Sequence, residues 1–305
     1  MKFVSRILAE EFPFVLSCPA LLWQLFFLYM PLCMLLVYSV VDYSPTLQAY
    51  QLTTVYYEQI FNSLYFRVII NSFVLAVITS CICFLIAYPV AYFLAMKVRK
   101  RYRPFLLFSL ILPSWTSLII QIYAWFFLLE KNGIVSQILY RLGLISKSFH
   151  LLNNYFSILI GMVSCFLPFM ILPIYTVLEK MDKRFLEASA DLGANRFETF
   201  RRVVFPISLP GVYTGLLLVF IPAFGEFAIP TLLGGSKHIF WGNVIVDKFL
   251  MSRDWRSGSA LTSFGILFPV IVIVSFYIML RVIAYMKSPK IKSRARGTSY
   301  KDPWI

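Results

Sequence analysis

The chain has 305 residues, of which 60% are hydrophobic, 18% aromatic and only 14% charged, and its formal net charge is +14. A soluble domain is about 45 to 50% apolar, so this composition excludes an ordinary water-soluble fold and places the chain in a bilayer. In a soluble protein the positive charge would point to nucleic acid; here the basic residues gather in particular connections between apolar segments, which is a statement about membrane topology instead.

A hydrocarbon core of roughly 30 Å takes about 20 mostly apolar residues per helix. Six stretches are long enough: 19–41, 68–96, 105–129, 155–178, 209–233 and 260–285. They predict an all-α membrane protein, one transmembrane domain over 1–305 with six helices, short connections and no internal repeat. The first stretch follows Lys2 and Arg6 in the manner of a signal peptide, but it is too long, holds Trp23 and Pro31 and lacks a small-residue cleavage site, so it is expected to remain as a helix. The second carries Cys81 and Cys83, two apart and therefore on different helix faces. With Cys18, Cys33 and Cys165 also in or beside apolar segments, neither a disulfide nor a metal site is expected, and no cofactor.

Of the 28 Lys and Arg, 20 fall in the N-terminus, the 97–103 loop, the 179–208 loop and the tail from Arg281, and eight fall in the alternate connections. By the positive-inside rule both termini and the 179–208 loop are cytoplasmic. Prolines at 89, 113, 168, 173, 222, 230 and 269 lie inside predicted spans, where each removes a backbone hydrogen bond and tends to kink the helix. The third span holds Trp115 and Thr116, then Gln121, Tyr123 and Trp125; Trp125, near the outer end, reads as an interface anchor.

The cytoplasmic 182–206 segment is the most ordered of the loops. Asp182 can cap a helix over 183–192 with Phe185, Ala188, Ser189 and Leu192 on one face, Gly193 suits a left-handed C-cap, and Asn195 with Glu198 has capping-box spacing. A second helix then carries Phe197, Phe200 and Val204 on one stripe and ends at Pro206. Glu187 and Asp191 lie one turn apart on the exposed surface, available to a soluble partner or to lipid headgroups.

The fifth span holds Glu226, between Pro222 and Pro230, the one acidic residue well inside a predicted span. A mid-bilayer carboxylate costs at least about 2.5 to 3.5 kcal/mol, so it is expected to face a wet cavity or the bundle interior, or else to bond a backbone amide freed near Pro230. In a transport path a buried negative charge favours a cation, and aromatic faces strengthen that preference for amines. His150 and His238 stand alone and are given no role. The 234–259 connection is expected outside, with Asp247 and Asp254 on it.

The run Glu187-Ala188-Ser189, three residues, Gly193, nine residues, Val203, one residue, Phe205-Pro206 resembles the EAA signature of the membrane subunits of bacterial ABC importers, with Ser, Val and Phe standing at its third Ala, its Ile and its Leu. The resemblance implies the type I importer permease fold and makes the hairpin the helix that couples to a cytoplasmic ATPase, through Glu187, Ala188, Ser189, Asp191 and Gly193. The sequence has no Gly-x4-Gly-Lys-Ser/Thr loop, so ATP hydrolysis is assigned to a separate subunit and the chain itself is read as non-catalytic. Leu112 to Trp125, Pro222 to Gly235, and Trp241-Gly242-Asn243-Val244 through Arg253-Asp254-Trp255 are similar to the permease subunits of spermidine/putrescine importers. That similarity implies a second related permease, two ATP-binding subunits and an extracytoplasmic polyamine-binding protein as partners; by the charge and aromatic argument Glu226, Trp115, Thr116 and Tyr123 are the candidates for the substrate path. Importers of thiamine, iron, sulfate or molybdate share the hairpin, so the hairpin does not choose the cargo; an oxyanion path would need basic residues deep in a span, where this sequence has none. An intramembrane enzyme is disfavoured, since neither His-Glu-x2-His nor Gly-x-Ser-x-Gly occurs.

Overall fold

The computed structural model describes residues 18–44, 49–143, 151–235 and 238–287. The chain divides into two units, Met1–Gly265, which holds the helical bundle, and Ile266–Ile305, which among the described residues is the latter part of the last helix. His150 and the basic residues of the N-terminus and of the tail beyond Lys287 lie outside the described residues.

Among those residues six helical stretches are long and apolar enough to cross a membrane: Cys18–Val40, Ser63–Lys97, Leu118–Arg141, Tyr155–Glu179, Arg196–Gly225 and Trp255–Ser275. The first is α1. It leads into a hairpin of β1 (Val41–Ser44) and β2 (Ala49–Leu52), antiparallel with Val41 opposite Leu52 and Tyr43 opposite Tyr50. A short α2 (Val55–Ile60) follows, and its Tyr56 hydroxyl donates to Asp42 Oδ2 at 3.1 Å. Next come α3 (Ser63–Tyr92), α4 (Arg103–Ile111), α5 (Leu118–Leu129), α6 (Ile134–Arg141) and α7 (Tyr155–Glu179). The rest of the chain gives α8 (Arg184–Asp191), α9 (Arg196–Thr199), α10 (Phe205–Gly225), α11 (Ala228–Gly234), α12 (Trp241–Val246) and α13 (Trp255–Lys287).

The core lies where α3, α7 and α10 pack on one another. Leu75 and Ala76 of α3, Met170, Ile171 and Ile174 of α7, and Val219 and Ala223 of α10 are all buried there. Lipid is as apolar as these side chains, so close packing, more than transfer from water, holds the helices together. Two glycines on α10 make the approach possible. A Cβ on Gly211 would come within 2.7 Å of the Pro173 carbonyl oxygen and 3.0 Å of Ile174 Cα, and one on Gly215 within 2.7 Å of Met170 Sδ. Some buried hydroxyls bond locally or across the bundle: Ser80 donates to Ala76 O at 2.7 Å, and Ser72 Oγ accepts from the Trp241 amide at 2.7 Å, whereas the hydroxyls of Thr79 and Ser263 have no partner among the described residues.

Two of the expected continuous spans are broken. The 105–129 segment is α4, a 3₁₀ turn over Leu112–Trp115, an extended pair Thr116–Ser117, and α5. Pro113 brings no N–H to the ladder, and the freed groups find side-chain partners: Ser114 Oγ donates to Ile111 O at 2.6 Å, while Pro113 O accepts from Thr116 Oγ1 at 2.6 Å and from the Gln121 side-chain amide. The 209–233 segment stops at Gly225, becomes extended at Glu226 (ψ 130°), and restarts as α11.

A third difference runs the other way. Pro206 does not end the second hairpin helix; α9 continues through a π turn over Phe200–Val204 into α10, giving one helical stretch from Arg196 to Gly225. Pro206 falls in the first turn of α10, directly after the π turn has shifted the hydrogen-bond ladder, so its missing N–H leaves no break.

Candidate functional site: a docking hairpin joined to a broken span

The hairpin is built by its caps. Asp182 Oδ1 accepts from the Arg184 amide at 2.9 Å ahead of α8. Gly193, at φ 78°, lets the chain turn in the left-handed region, and Ala194 N closes the turn on Ser189 O at 3.1 Å. Asn195 and Glu198 form a reciprocal capping box, with Glu198 N to Asn195 Oδ1 at 2.9 Å and Asn195 N to Glu198 Oε2 at 3.0 Å.

Glu187, Ala188, Asp191 and Gly193 are exposed. Ser189 is different: it is buried, and its hydroxyl shares a 2.9 Å hydrogen bond with Thr199 Oγ1, tying α8 to α9. Of the expected apolar face, Phe185 (55% exposed) and Leu192 (88%) are left uncovered by this chain. The second stripe divides. Phe197 is 70% exposed, whereas Val204 is buried and Phe200 turns into the bundle, because the π turn between them changes the helical phase. The outward face therefore combines two carboxylates with three large apolar side chains, the composition of an interface patch.

The root of the hairpin is fastened by residues that sequence reading missed. Phe200 meets Tyr88 edge-on with ring centroids 5.7 Å apart, and Tyr92 lies 6.2 Å away. Ser208 donates its proton to Phe205 O at 2.8 Å, so in the 2.9 Å bond between Tyr88 and Ser208 the tyrosine is the donor. Beside this, buried Arg103 at the start of α4 donates through Nε to Val98 O at 3.0 Å and lies 3.6 Å from Glu179 Oε1, which also accepts from Tyr175 at 2.5 Å. Glu179 is the last residue of α7, directly ahead of the hairpin. A tyrosine preceding a proline and a serine two residues after one were the available signals, and neither differs from ordinary membrane-helix composition.

At the other end of α10, the Glu226 carboxylate accepts through Oε1 from the amides of Ala228 at 2.8 Å and Ile229 at 3.4 Å. These are the first amides of α11, and Pro230 supplies none, so the negative charge sits where the helix end is most positive. Oε2 makes no hydrogen bond among the described residues. Glu226 thus does structural capping, one of the two roles left open by the sequence, while keeping one oxygen free.

The other path candidates are placed unevenly. Tyr123 on α5 lines a cavity of about 1140 Å³ together with Phe227, Ala228 and Thr231 just beyond Glu226, and Asn71 of α3. Arg67, Asp247 and Lys248 contribute charges of both signs to its wall. Trp115 and Thr116 do not line it. Trp115 is 74% exposed and stacks edge-on against Phe108, and the Thr116 hydroxyl is engaged in its own turn, accepting from Gln121 Nε2 at 3.1 Å. α5 and α11, the second halves of the two broken spans, pack against each other. Asn243 steadies α11 from outside, donating to Phe227 O at 3.2 Å and Thr231 Oγ1 at 2.7 Å. Among the described residues no group of three His, Cys, Asp or Glu could hold a metal ion.

A multi-span bundle with a capped polar hairpin at one end and broken helices at the other defines a membrane transport subunit, and the backbone agrees with solved transporters. It superposes with a TM-score of 0.71 on a chain of a bacterial ABC transporter involved in the import of the acidic polysaccharide alginate, at 17% identity, covering 92% of this chain and 99% of that one. A chain of a bacterial alginate ABC transporter in complex with alginate pentasaccharide-bound periplasmic protein gives a TM-score of 0.71 at 17% identity over 93% of this chain and 98% of that one. Residues 87–293 match the family model described as binding-protein-dependent transport system inner membrane component, and the chain belongs to that family. It is 40% identical over 258 residues to the spermidine/putrescine transport system permease protein PotB of Haemophilus influenzae, covering 84% of this chain and 90% of that protein. It is 41% identical over 204 residues to PotB of Escherichia coli K12, covering 67% and 74%. It is 31% identical over 237 residues to the inner membrane ABC transporter permease protein YdcU of Escherichia coli K12, covering 74% of each. The protein is therefore a multi-pass inner membrane component of a binding-protein-dependent transport system.

Proposed function

We propose that the chain is the non-catalytic permease subunit of an ATP-driven importer of polyamines, spermidine or putrescine, forming the translocation path with a second, related permease. The 182–206 hairpin docks on one of two ATP-binding subunits on the cytoplasmic side, where both termini also lie, and an extracytoplasmic polyamine-binding protein delivers the amine on the opposite side. The whole chain acts as a single permease domain.

The observation that carries this reading is the unbroken helical stretch Arg196–Gly225, which begins in the exposed hairpin and ends at Glu226. At 1.5 Å per residue it is about 45 Å long, enough to join a cytoplasmic docking face to the far half of a bilayer. A force applied at Glu187 and Asp191 passes from α8 to α9 across the closed Gly193 turn and the Ser189–Thr199 hydrogen bond, and from α9 to Glu226 along one helical stretch. The cavity wall bears both Arg67 and Asp247, so amine preference is assigned to the free oxygen of Glu226 and the face of Tyr123. The 40% identity to a spermidine/putrescine permease supports the same cargo.

The test is uptake of labelled spermidine by the complete transporter in proteoliposomes, with unlabelled spermidine, putrescine or sulfate as competitors. Competition by either amine and none by sulfate is the expected result. No uptake of labelled spermidine by an assembled, ATP-hydrolysing transporter would assign the chain to another importer.

A further inference from the structure

Arg103, the first residue of α4, is the one charged residue that is buried among the described residues, at 6% exposure. A guanidinium is costly to take out of water unless it is paired and hydrogen-bonded, so the groups around it matter. They come from three spans. Val98 O, just past the π turn over Phe93–Lys97 that extends α3, accepts from Nε at 3.0 Å. Nη1 lies 3.6 Å from Oε1 of Glu179, the last residue of α7, and that oxygen also accepts from buried Tyr175 at 2.5 Å. The end of α3, the start of α4 and the end of α7 therefore meet at one side chain.

The pair is unequal. The Glu179 side chain is 45% exposed and that of Arg103 is 8%. Separation would cost Glu179 little and would leave the guanidinium buried without its counter-charge, so the start of α4 follows Glu179 when α7 and the hairpin move. Glu179 stands three residues before Asp182, whose carboxylate accepts from the amide that opens α8. In the other direction α4 runs about 14 Å to the 3₁₀ turn at Pro113. Within the chain α4 packs chiefly on the Phe93–Lys97 turn and on that 3₁₀ turn, so Arg103 anchors the end of α4 nearest the hairpin. Gln121 spans the 3₁₀ turn, its side-chain amide donating to Pro113 O and, at 3.1 Å, to Thr116 Oγ1, which joins the turn to α5. Two residues further on is Tyr123 in the cavity wall, and α5 packs against α11.

We propose that Arg103 and Glu179 are a positioning pair that carries movement of the docking hairpin into the third span. The hairpin then works on both broken spans: on α10 directly, to Glu226, and on α4 and α5 through the pair, to Tyr123. The two walls of the cavity, Tyr123 on one side and Phe227 with Ala228 on the other, shift in the same step instead of one sliding past the other. The inference rests on the chain being the permease of an ATP-driven amine importer.

The experiment uses the complete transporter in proteoliposomes, with labelled spermidine taken up and phosphate released measured on the same sample. Glu179→Gln keeps an acceptor for Tyr175 and removes the charge that Arg103 pairs with. It is expected to lower uptake per ATP by about fivefold or more while hydrolysis and the yield of assembled complex stay near wild type. Gln121→Leu, farther along the same route and away from the buried arginine, should lower the same ratio. The double variant should be no worse than the worse single one, because one route is cut twice. Where Glu179→Gln fails to assemble, Tyr175→Phe replaces it: the buried ring stays, one of the two groups holding the carboxylate is lost, and the ratio should fall by about threefold. An unchanged ratio, or uptake falling only in proportion to assembled complex, would reduce the pair to a brace and overturn the proposal; so would losses that multiply in the double variant. Wild-type transporter that hydrolyses ATP without taking up spermidine would count against the amine reading instead.

Discussion

Substitution of Glu226 separates the two tasks its position allows. The carboxylate holds one good amide bond at 2.8 Å and one weak one at 3.4 Å at the start of α11. Gln keeps an acceptor oxygen there and loses the charge-assisted part of the bond, a cost of about 1 kcal/mol; Ala loses the cap altogether, at about 1 to 2 kcal/mol. The transport role depends on charge alone. A carboxylate and an ammonium about 4 Å apart attract by about 4 kcal/mol at an effective dielectric constant near 20, and a third of that is about tenfold in rate. Glu226→Gln is therefore expected to lower spermidine uptake in proteoliposomes by about tenfold or more while the melting temperature of the assembled complex moves little, and Glu226→Ala is expected to lower both. Wild-type uptake in Glu226→Gln, with uptake and melting falling together in Glu226→Ala, would leave Glu226 as a helix cap and remove it from the path.

Three further outcomes follow from the hairpin and the core. Glu187→Lys, on the exposed face of α8, should leave membrane insertion unchanged and weaken copurification of the ATP-binding subunits by about tenfold or more, since it sets a like charge against any basic docking partner; normal assembly and uptake would count against docking through this face. A cysteine placed at exposed Ala190 should react with an impermeant maleimide only when the cytoplasmic side is opened, and labelling of intact cells would reverse the proposed orientation. Gly211→Ala places a methyl 2.7 Å from the Pro173 carbonyl oxygen and 3.0 Å from Ile174 Cα, both backbone atoms that cannot swing aside, so thermal melting should report a loss of about 1 to 3 kcal/mol.

What the sequence made legible was the chemistry of turns and of the bilayer. The caps at Asp182, Gly193, Asn195 and Glu198 are local, each decided by a few neighbouring residues, and each is present in the structure. The spans follow from apolar length. Where two prolines near a charge stood in an apolar run, however, composition gave no way to choose between a kink and a full stop. The choice at Glu226 was made by partners: a carboxylate able to cap α11, Asn243 to brace it, and Gly242 small enough to lie against Gly225 O and Phe227. Pro206 went the other way for a reason no sequence period encodes, a π turn that re-phases the helix one step before it. Trp115 and Thr116 were drawn to the path by residue type, and the 3₁₀ turn at Pro113 instead engages Thr116 in its own hydrogen bonds and leaves Trp115 outside the cavity.

The continuity of α9 with α10 also constrains how the proposed coupling can work. A rod that is fastened along its length cannot slide; it can only rotate about a close contact at its middle or yield at its weakest turn. The close contact at its middle is the pair Gly211 and Gly215 against Pro173 and Met170, where small residues let the helices approach. The weakest turn is Phe200–Val204, since a π turn is a strained register within the ladder. Phe200 in that turn is held between Tyr88 and Phe205, and Tyr88 is tied in turn to Ser208. Movement at Glu187 that leaves this cluster intact would swing the whole of α10 about the glycine contact and carry Glu226 with it. Movement that breaks the cluster would be absorbed in the turn and never reach the break. In the proposed coupling, the aromatic cluster at Tyr88, which no sequence pattern singled out, is the fastening that would have to hold for movement of the hairpin to reach the break.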